Sequence, residues 1–249
     1  MLKANKLRML ENIEIERINV PTVVPGDVAL RLASLRVNGE AAPSSFIDCG
    51  NAFVSFGMLE DGIDAFTEAI KRDSGCVAAL LSRGRATFGL ALLLEDEAER
   101  DGLVSQSIAD FQRALELDEQ SREAVLGIGT GLLVSNRFAE CSSWIQSKIA
   151  SPAEKSHEGD LLYLFALCRL FSGDLEQAGD FADRMERVAG FDTERFFIRG
   201  LISLQANERE KFVEYRALVD RRDPKLASVL SSAEENRCGT FLELARWLT

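Results

Sequence analysis

Apolar positions recur every three or four residues along most of the chain, the spacing that gathers them on one side of an α-helix. From Phe46 to Gly75, FIDCGNAFVSFGMLEDGIDAFTEAIKRDSG reads as two amphipathic helices with a break near Leu59–Gly62. Small residues stand at Gly50, Gly62 and Ala69, and large apolar ones at Phe46, Phe53 and Phe66. Two helix backbones approach closely only where side chains are nearly absent, and the large residues then fill the space toward the next pair.

The pattern returns. A second copy carries Leu80 and Gly84 in its first helix, then Ser107, Phe111 and Ala114 within SIADFQRALELDEQ. A third has Val125, Ile128 and Gly129, followed by Phe138, Cys141 and Ile145, with Lys148 where alanine is expected. Leu162, Phe165, Ala166, Gly173 and Ala178 mark a fourth. Phe196, Gly200 and Pro224 mark a fifth, although Phe212 and Arg216 replace the expected small and aromatic residues of its second helix. This unit resembles the tetratricopeptide repeat, 34 residues in which a helix A packs on a helix B. ALELDEQ is similar to that family's end-of-repeat signature, with Glu119 where proline is usual.

The resemblance covers roughly residues 43–224. It implies an all-α fold, an α–α superhelix of four to five degenerate repeats with capping helices at both ends. One such unit cannot bury its apolar face alone, so stacked copies are required. The expected organisation is an N-terminal cap over residues 1–42, the repeat domain over 43–224 and C-terminal capping helices over 225–249.

Two features break the period. FGLALLLEDEAERDG lengthens the second copy between its helices by about eleven residues, close to three helical turns. The reading is an extended helix A ended by Asp101–Gly102, either as a tolerated insertion or as a projecting arm, apolar over 90–94 and acidic over 95–99. The ends also differ. A short helix is expected from an Asp27 cap through Val28–Arg36 to Asn38–Gly39, after the strand-like IEIERINV and the proline-marked INVPTVVPG. Thr240-Phe-Leu-Glu243 forms a capping box for a last helix ending near Trp247.

Composition narrows the partners. A formal charge of −11 disfavours nucleic acid and anionic membranes, whose surfaces need Lys and Arg, while leaving a basic segment of a protein partner compatible. The first residues hold Lys3, Lys6 and Arg8 without an apolar h-region, and Leu2 replaces the glycine that myristoylation needs, so a cytoplasmic protein is expected. Cys49, Cys76, Cys141, Cys168 and Cys238 contain no CxxC pair, and with one histidine they make no metal site. They read as reduced, small apolar side chains.

Catalysis leaves no signature. His157, near Lys155 and Glu158, reads as a solvated side chain without a nucleophile motif. The acidic run at Glu95, Asp96, Glu97 and Glu99 reads as a solvated helix face. Gly127-Ile-Gly129 falls inside a helix, where glycine serves packing and not phosphate binding. No enzyme activity and no cofactor are expected.

What remains is the face that A helices line in tetratricopeptide proteins. The resemblance places Ile47, Asn51 and Ser55 there, then Leu81, Arg85 and Phe88, then Leu126, Thr130 and Leu133. Tyr163, Leu167 and Leu170 follow, with Phe197, Leu201 and Leu204 in the fifth copy. Arg85 suits a carboxylate or an aromatic ring, and Tyr163 and Phe197 are anchors of the kind that dominate binding energy. The family's clamp for chaperone C-termini needs five polar side chains; here only Asn51 matches, and Ile47, Ser82, Glu123 and Gly127 occupy the other positions. The expected function is a scaffold or adaptor holding an apolar or basic helix of another protein. Two alternatives stand beside it: a self-associating scaffold whose groove is filled by its own terminus or a second copy, and a regulatory subunit of an enzyme complex.

Overall fold

Local chemistry sets the helix boundaries. The computed structural model describes residues 25–38, 40–149, 157–236 and 238–248, and among these it contains thirteen helices and no strand. The strand-like stretch at 13–20, the proline-marked stretch at 18–26 up to residue 24, and Lys155 lie outside the described residues. The chain divides into two compact units, residues 1–128 and 129–248. Neither boundary of the expected repeat domain at 43 or 224 coincides with this division.

In the first unit a single helix, α1 (Pro25–Val37), precedes two A–B pairs, α2 (Pro43–Ser55) with α3 (Leu59–Arg72) and α4 (Val77–Leu93) with α5 (Glu97–Leu117). The start of α6 (Arg122–Val134) completes the unit. Val28 and Leu32 of α1 join Phe46, Cys49, Phe53, Ala65, Ala69 and Ala79 in one core cluster, so α1 packs on the first A–B pair. Arg72 sits over the Phe46 ring at 4.9 Å and donates to the Ala41 carbonyl at 3.2 Å, tying α3 to the α1–α2 connection.

Glycine fixes the close approaches. A Cβ at Gly50 would fall 2.7 Å from Cδ1 of Phe66, and Phe66 is 1 % exposed. Phe111 of α5 lies against two glycines: a Cβ would meet its ring at 3.1 Å from Gly84 and at 2.5 Å from Gly127. The glycines in α6 therefore serve packing, as the sequence implies. Between the pairs, Arg83 of α4 makes a two-pronged contact with Asp110 of α5 at 2.8 and 2.6 Å and donates to Thr67 of α3 at 3.2 Å.

The insertion does not extend helix A alone. Leu94 leaves α4 in an extended conformation (ψ 144°), and Asp96 caps α5 by accepting from the Glu99 amide at 2.8 Å. Asp101 and Gly102 are interior to α5 and end nothing, which corrects the sequence reading. The added turns are shared between the two helices, with Ala91 and Val104 both fully buried.

The second unit holds the rest of α6 with α7 (Phe138–Ile149), then the pairs α8 (Glu158–Phe171) with α9 (Leu175–Met185) and α10 (Asp192–Gln205) with α11 (Arg209–Asp220). α12 (Pro224–Asn236) and α13 (Phe241–Leu248) close it. The A-to-B turns share one device. Gly57 (φ 76°) in the first unit, and Asn136 (φ 53°), Gly173 (φ 90°) and Asn207 (φ 59°) in the second, each adopt the left-handed conformation after an A helix. Each pairs with a backbone bond six residues long, such as Asp174 N–H to the Arg169 carbonyl at 2.8 Å, the geometry of a Schellman stop.

His157 corrects another expectation. It precedes α8 with its side chain 4 % exposed, and neither ring nitrogen has a hydrogen-bond partner among the described residues. The reason is position: residue 157 is the N-cap of a helix whose first turn, Gly159 and Asp160, is itself buried.

Candidate functional site

The A-helix face of the first unit is a mixed strip. Ile47, Asn51, Leu81, Phe88 and Leu126 are each half-buried, Ser55 is exposed, and Ile47 packs at the edge of both core clusters. Arg85 is 37 % exposed and pairs with Glu123 of α6 at 3.2 Å, while its guanidinium also donates to Ser82 at 3.2 Å. An ion pair this open contributes about 0–1 kcal/mol, so a carboxylate or a cation from a partner can displace either member at little cost. These residues offer apolar purchase beside a pair of opposite charges.

In the second unit the equivalent positions behave differently. Thr130 and Tyr163 are half-buried, but Leu133, Leu167, Leu170, Phe197 and Leu201 are buried, Phe197 completely. Burial of the Tyr163 phenol, with the Glu194 carboxylate adding to it, pushes its pKa above the ordinary tyrosine value. Phe197, Leu167 and Leu201 therefore cannot meet a ligand as the face stands, which corrects their reading as open contacts. Phe196, expected in the A–B core, is instead half-buried, stacked on Tyr215 at 6.3 Å and capped by Arg195 and Arg222.

Phe241 of α13 packs edge-on against Phe171, at the end of α8, with ring centroids 5.5 Å apart and planes at 76°. Phe241, Leu244 and Ala245 are 2, 0 and 2 % exposed. The capping box forms as the sequence implies: Glu243 accepts from the amides of Gly239 and Thr240 at 2.9 and 3.1 Å, and its own amide donates to Thr240 Oγ1 at 3.3 Å. Those backbone donors hold the Glu243 carboxyl below the usual glutamate range. Phe171 escaped the sequence reading. The signal was present in its place one helical turn beyond Leu167.

Other chemistry is sparse. Among the described residues no three His, Cys, Asp or Glu side chains converge to hold a metal, and no helix is long and apolar enough to cross a membrane. Cys49, Cys141 and Cys168 are buried and Cys76 and Cys238 half-buried, all as free thiols. The hydrogen bond that the Cys141 thiol donates to the Cys168 sulfur, together with burial, pushes the Cys141 thiol up.

Paired helices, glycine crossings and recurring turns together make the chain a tetratricopeptide-like repeat protein in fold. It is similar to the solved structure of MamA protein, at 18 % identity over 78 % of this chain and 94 % of that one, with a TM-score of 0.51. It is similar to TTC0263, a thermophilic TPR protein of Thermus thermophilus, at 13 % identity over 85 % of this chain and 99 % of that one, TM-score 0.51. No family model and no curated protein sequence matches the chain. At these identities the likeness is one of fold.

Proposed function

We propose that the chain is a non-enzymatic scaffold or adaptor that holds an apolar helix or peptide of another protein on the A-helix face of its first unit. One observation carries this: Ile47, Leu81, Phe88 and Leu126 are all half-buried there beside the Arg85–Glu123 pair, while at the apolar positions of the second unit Leu133, Leu167, Leu170, Phe197 and Leu201 are buried and only Tyr163 and Leu204 stay half-buried. Apolar anchors flanked by charge are what a groove offers to an amphipathic helix. The charge of −11 favours a partner segment bearing Lys or Arg on its polar side.

The test is affinity capture with the full chain from its native cell, followed by titration of the identified partner. Phe88→Ala is expected to weaken binding about tenfold to thirtyfold, roughly 1.4–2 kcal/mol, as a half-buried aromatic anchor should. Its thermal melt should shift little. Unchanged affinity with a lowered melt would make Phe88 a packing residue and remove the proposal.

A further inference from the structure

Two of the free cysteines lie together in the second unit. Cys141 stands near the start of α7 and Cys168 in the last turn of α8, both fully buried. Phe138, Cys141 and Ser142 are spaced three and four residues apart, so they share one side of α7. The Cys168 sulfur rests on that side. It donates to the Phe138 carbonyl at 3.3 Å and lies 3.3 Å from Ser142 Oγ. Between those two contacts the Cys141 thiol donates to the same sulfur, with the Gly129 carbonyl, 3.9 Å away, as its other acceptor.

The two thiols are not equivalent. The hydrogen bond from Cys141 lowers the Cys168 pKa against the opposing effect of burial, and the Ser142 hydroxyl and the Arg169 guanidinium add to it. The same hydrogen bond and burial push Cys141 up. Negative charge therefore settles on Cys168, while Cys141 keeps its proton beside it. A thiolate is the form that attacks an oxidant, and a second sulfur within hydrogen-bonding reach is what resolves the product.

We propose that Cys141 and Cys168 are a modification site, which a peroxide converts to an intramolecular disulfide that locks α7 to α8. The Cys168 thiolate attacks one peroxide oxygen and the O–O bond breaks. The departing hydroxide takes up the proton that Cys168 released and leaves as water, and Cys168 becomes a sulfenic acid. The Cys141 sulfur then attacks the Cys168 sulfur: the S–S bond forms, the S–O bond breaks, and a second water leaves with the Cys141 proton. Two electrons pass from the two thiols to the peroxide. The sulfurs must close to about 2 Å, which rotation of two short side chains and a small shift of α7 supply. Access comes through the start of α7, where Phe138 and Ser142 are half-buried and Ala139 and Glu140 exposed, because helix ends open most readily. Joining 141 to 168 restricts the unfolded chain, so the linked protein resists unfolding. The site lies outside the strip around Phe88 and does not depend on it.

The test treats the reduced full-length chain with hydrogen peroxide, blocks the remaining thiols with N-ethylmaleimide in denaturant, and maps the digest by non-reducing mass spectrometry. The expected product is a peptide joining Cys141 to Cys168, lighter by two hydrogens than its reduced halves and lost on adding dithiothreitol. The thermal midpoint should rise by about 5 °C or more. Cys141→Ser should stop the reaction at a sulfenic acid on Cys168, captured by dimedone, and Cys168→Ser should leave Cys141 unoxidised at the same dose. A map in which Cys141 and Cys168 both carry N-ethylmaleimide overturns the proposal, as does oxidation confined to Cys76 or Cys238. A linked chain that melts no higher than the reduced one overturns the lock. The wild-type map decides by itself should either serine variant fail to fold.

Discussion

Two alanine substitutions in the first unit, chemically identical, are expected to act in opposite directions. Gly50 lies in α2 and Gly102 in α5, both interior to helices. Alanine gains about 0.5–1 kcal/mol over glycine in a helix, because the unfolded glycine has more freedom to lose. At Gly102 nothing lies within 4 Å of the added Cβ, so Gly102→Ala should collect that gain in full. At Gly50 the Cβ would fall 2.7 Å from Phe66 Cδ1, and Phe66 is 1 % exposed with no open side to move toward. Overpacking of this kind costs about 1–3 kcal/mol, which leaves Gly50→Ala destabilising by roughly 0.5–2 kcal/mol after the helix gain. Urea unfolding followed by far-UV circular dichroism reads both, and both residues report on the same unit. If Gly50→Ala stabilises as much as Gly102→Ala, the α2–α3 crossing is not where Phe66 and Gly50 place it, and the register of the first pair fails with it.

Three further outcomes follow from the same reasoning. Phe197→Ala should cost about 3–5 kcal/mol in thermal or denaturant unfolding, the penalty of a large buried cavity, and a near-neutral result would return Phe197 to the exposed face. Asp110→Asn breaks a two-pronged contact with Arg83 whose carboxylate is 10 % exposed, and about 2 kcal/mol should be lost, little changed by salt because the pair is largely sheltered. Loss under about 0.5 kcal/mol would mean that the pair is dispensable. Glu243 should titrate below the roughly 4.3 of free glutamate when its carboxyl carbon is followed by NMR. Its folded pKa is depressed, so the support it lends α13 is present above the unfolded value and is lost as pH falls through the folded one. A midpoint at or above the free value would show that the capping box does not form.

Much of the fold was legible because the repeat writes its packing into single residue types. Glycine at 50, 84, 127 and 129 can be read as close approach without knowing what approaches, and the structure supplies Phe66, Phe111 and Leu164 as the neighbours. Capping is equally local: Thr240 and Glu243 satisfy each other across three residues, so the sequence contains the whole interaction. The recurring stop at Gly57, Asn136, Gly173 and Asn207 was available too, as a Gly or Asn at one place in four of the A-to-B turns. It was overlooked because Gly and Asn in a polar turn look ordinary until they are aligned. The insertion was misread for a related reason. Asp101–Gly102 resembles a helix end, but an aspartate five residues earlier had already begun the next helix, and a glycine with empty space around it interrupts nothing.

The candidate face was less legible, and the failure is instructive about what periodicity contains. Helical spacing identifies which residues share a side; it says nothing about which element comes to cover that side. Phe197 and Phe196 are neighbours in sequence with the same chemistry, and the repeat register assigned the first to ligand and the second to core. The structure reverses them: Phe197 is completely buried, while Phe196 is half-buried against Tyr215 and two arginines. An apolar side that the repeat does not cover must be covered by something, since a large bare apolar stripe favours association. In the second unit Leu167, Phe197 and Leu201 are already inside the packing, whereas in the first Ile47, Leu81, Phe88 and Leu126 stay half-buried beside Arg85, which is why the two faces call for different experiments although the repeat builds them from equivalent positions.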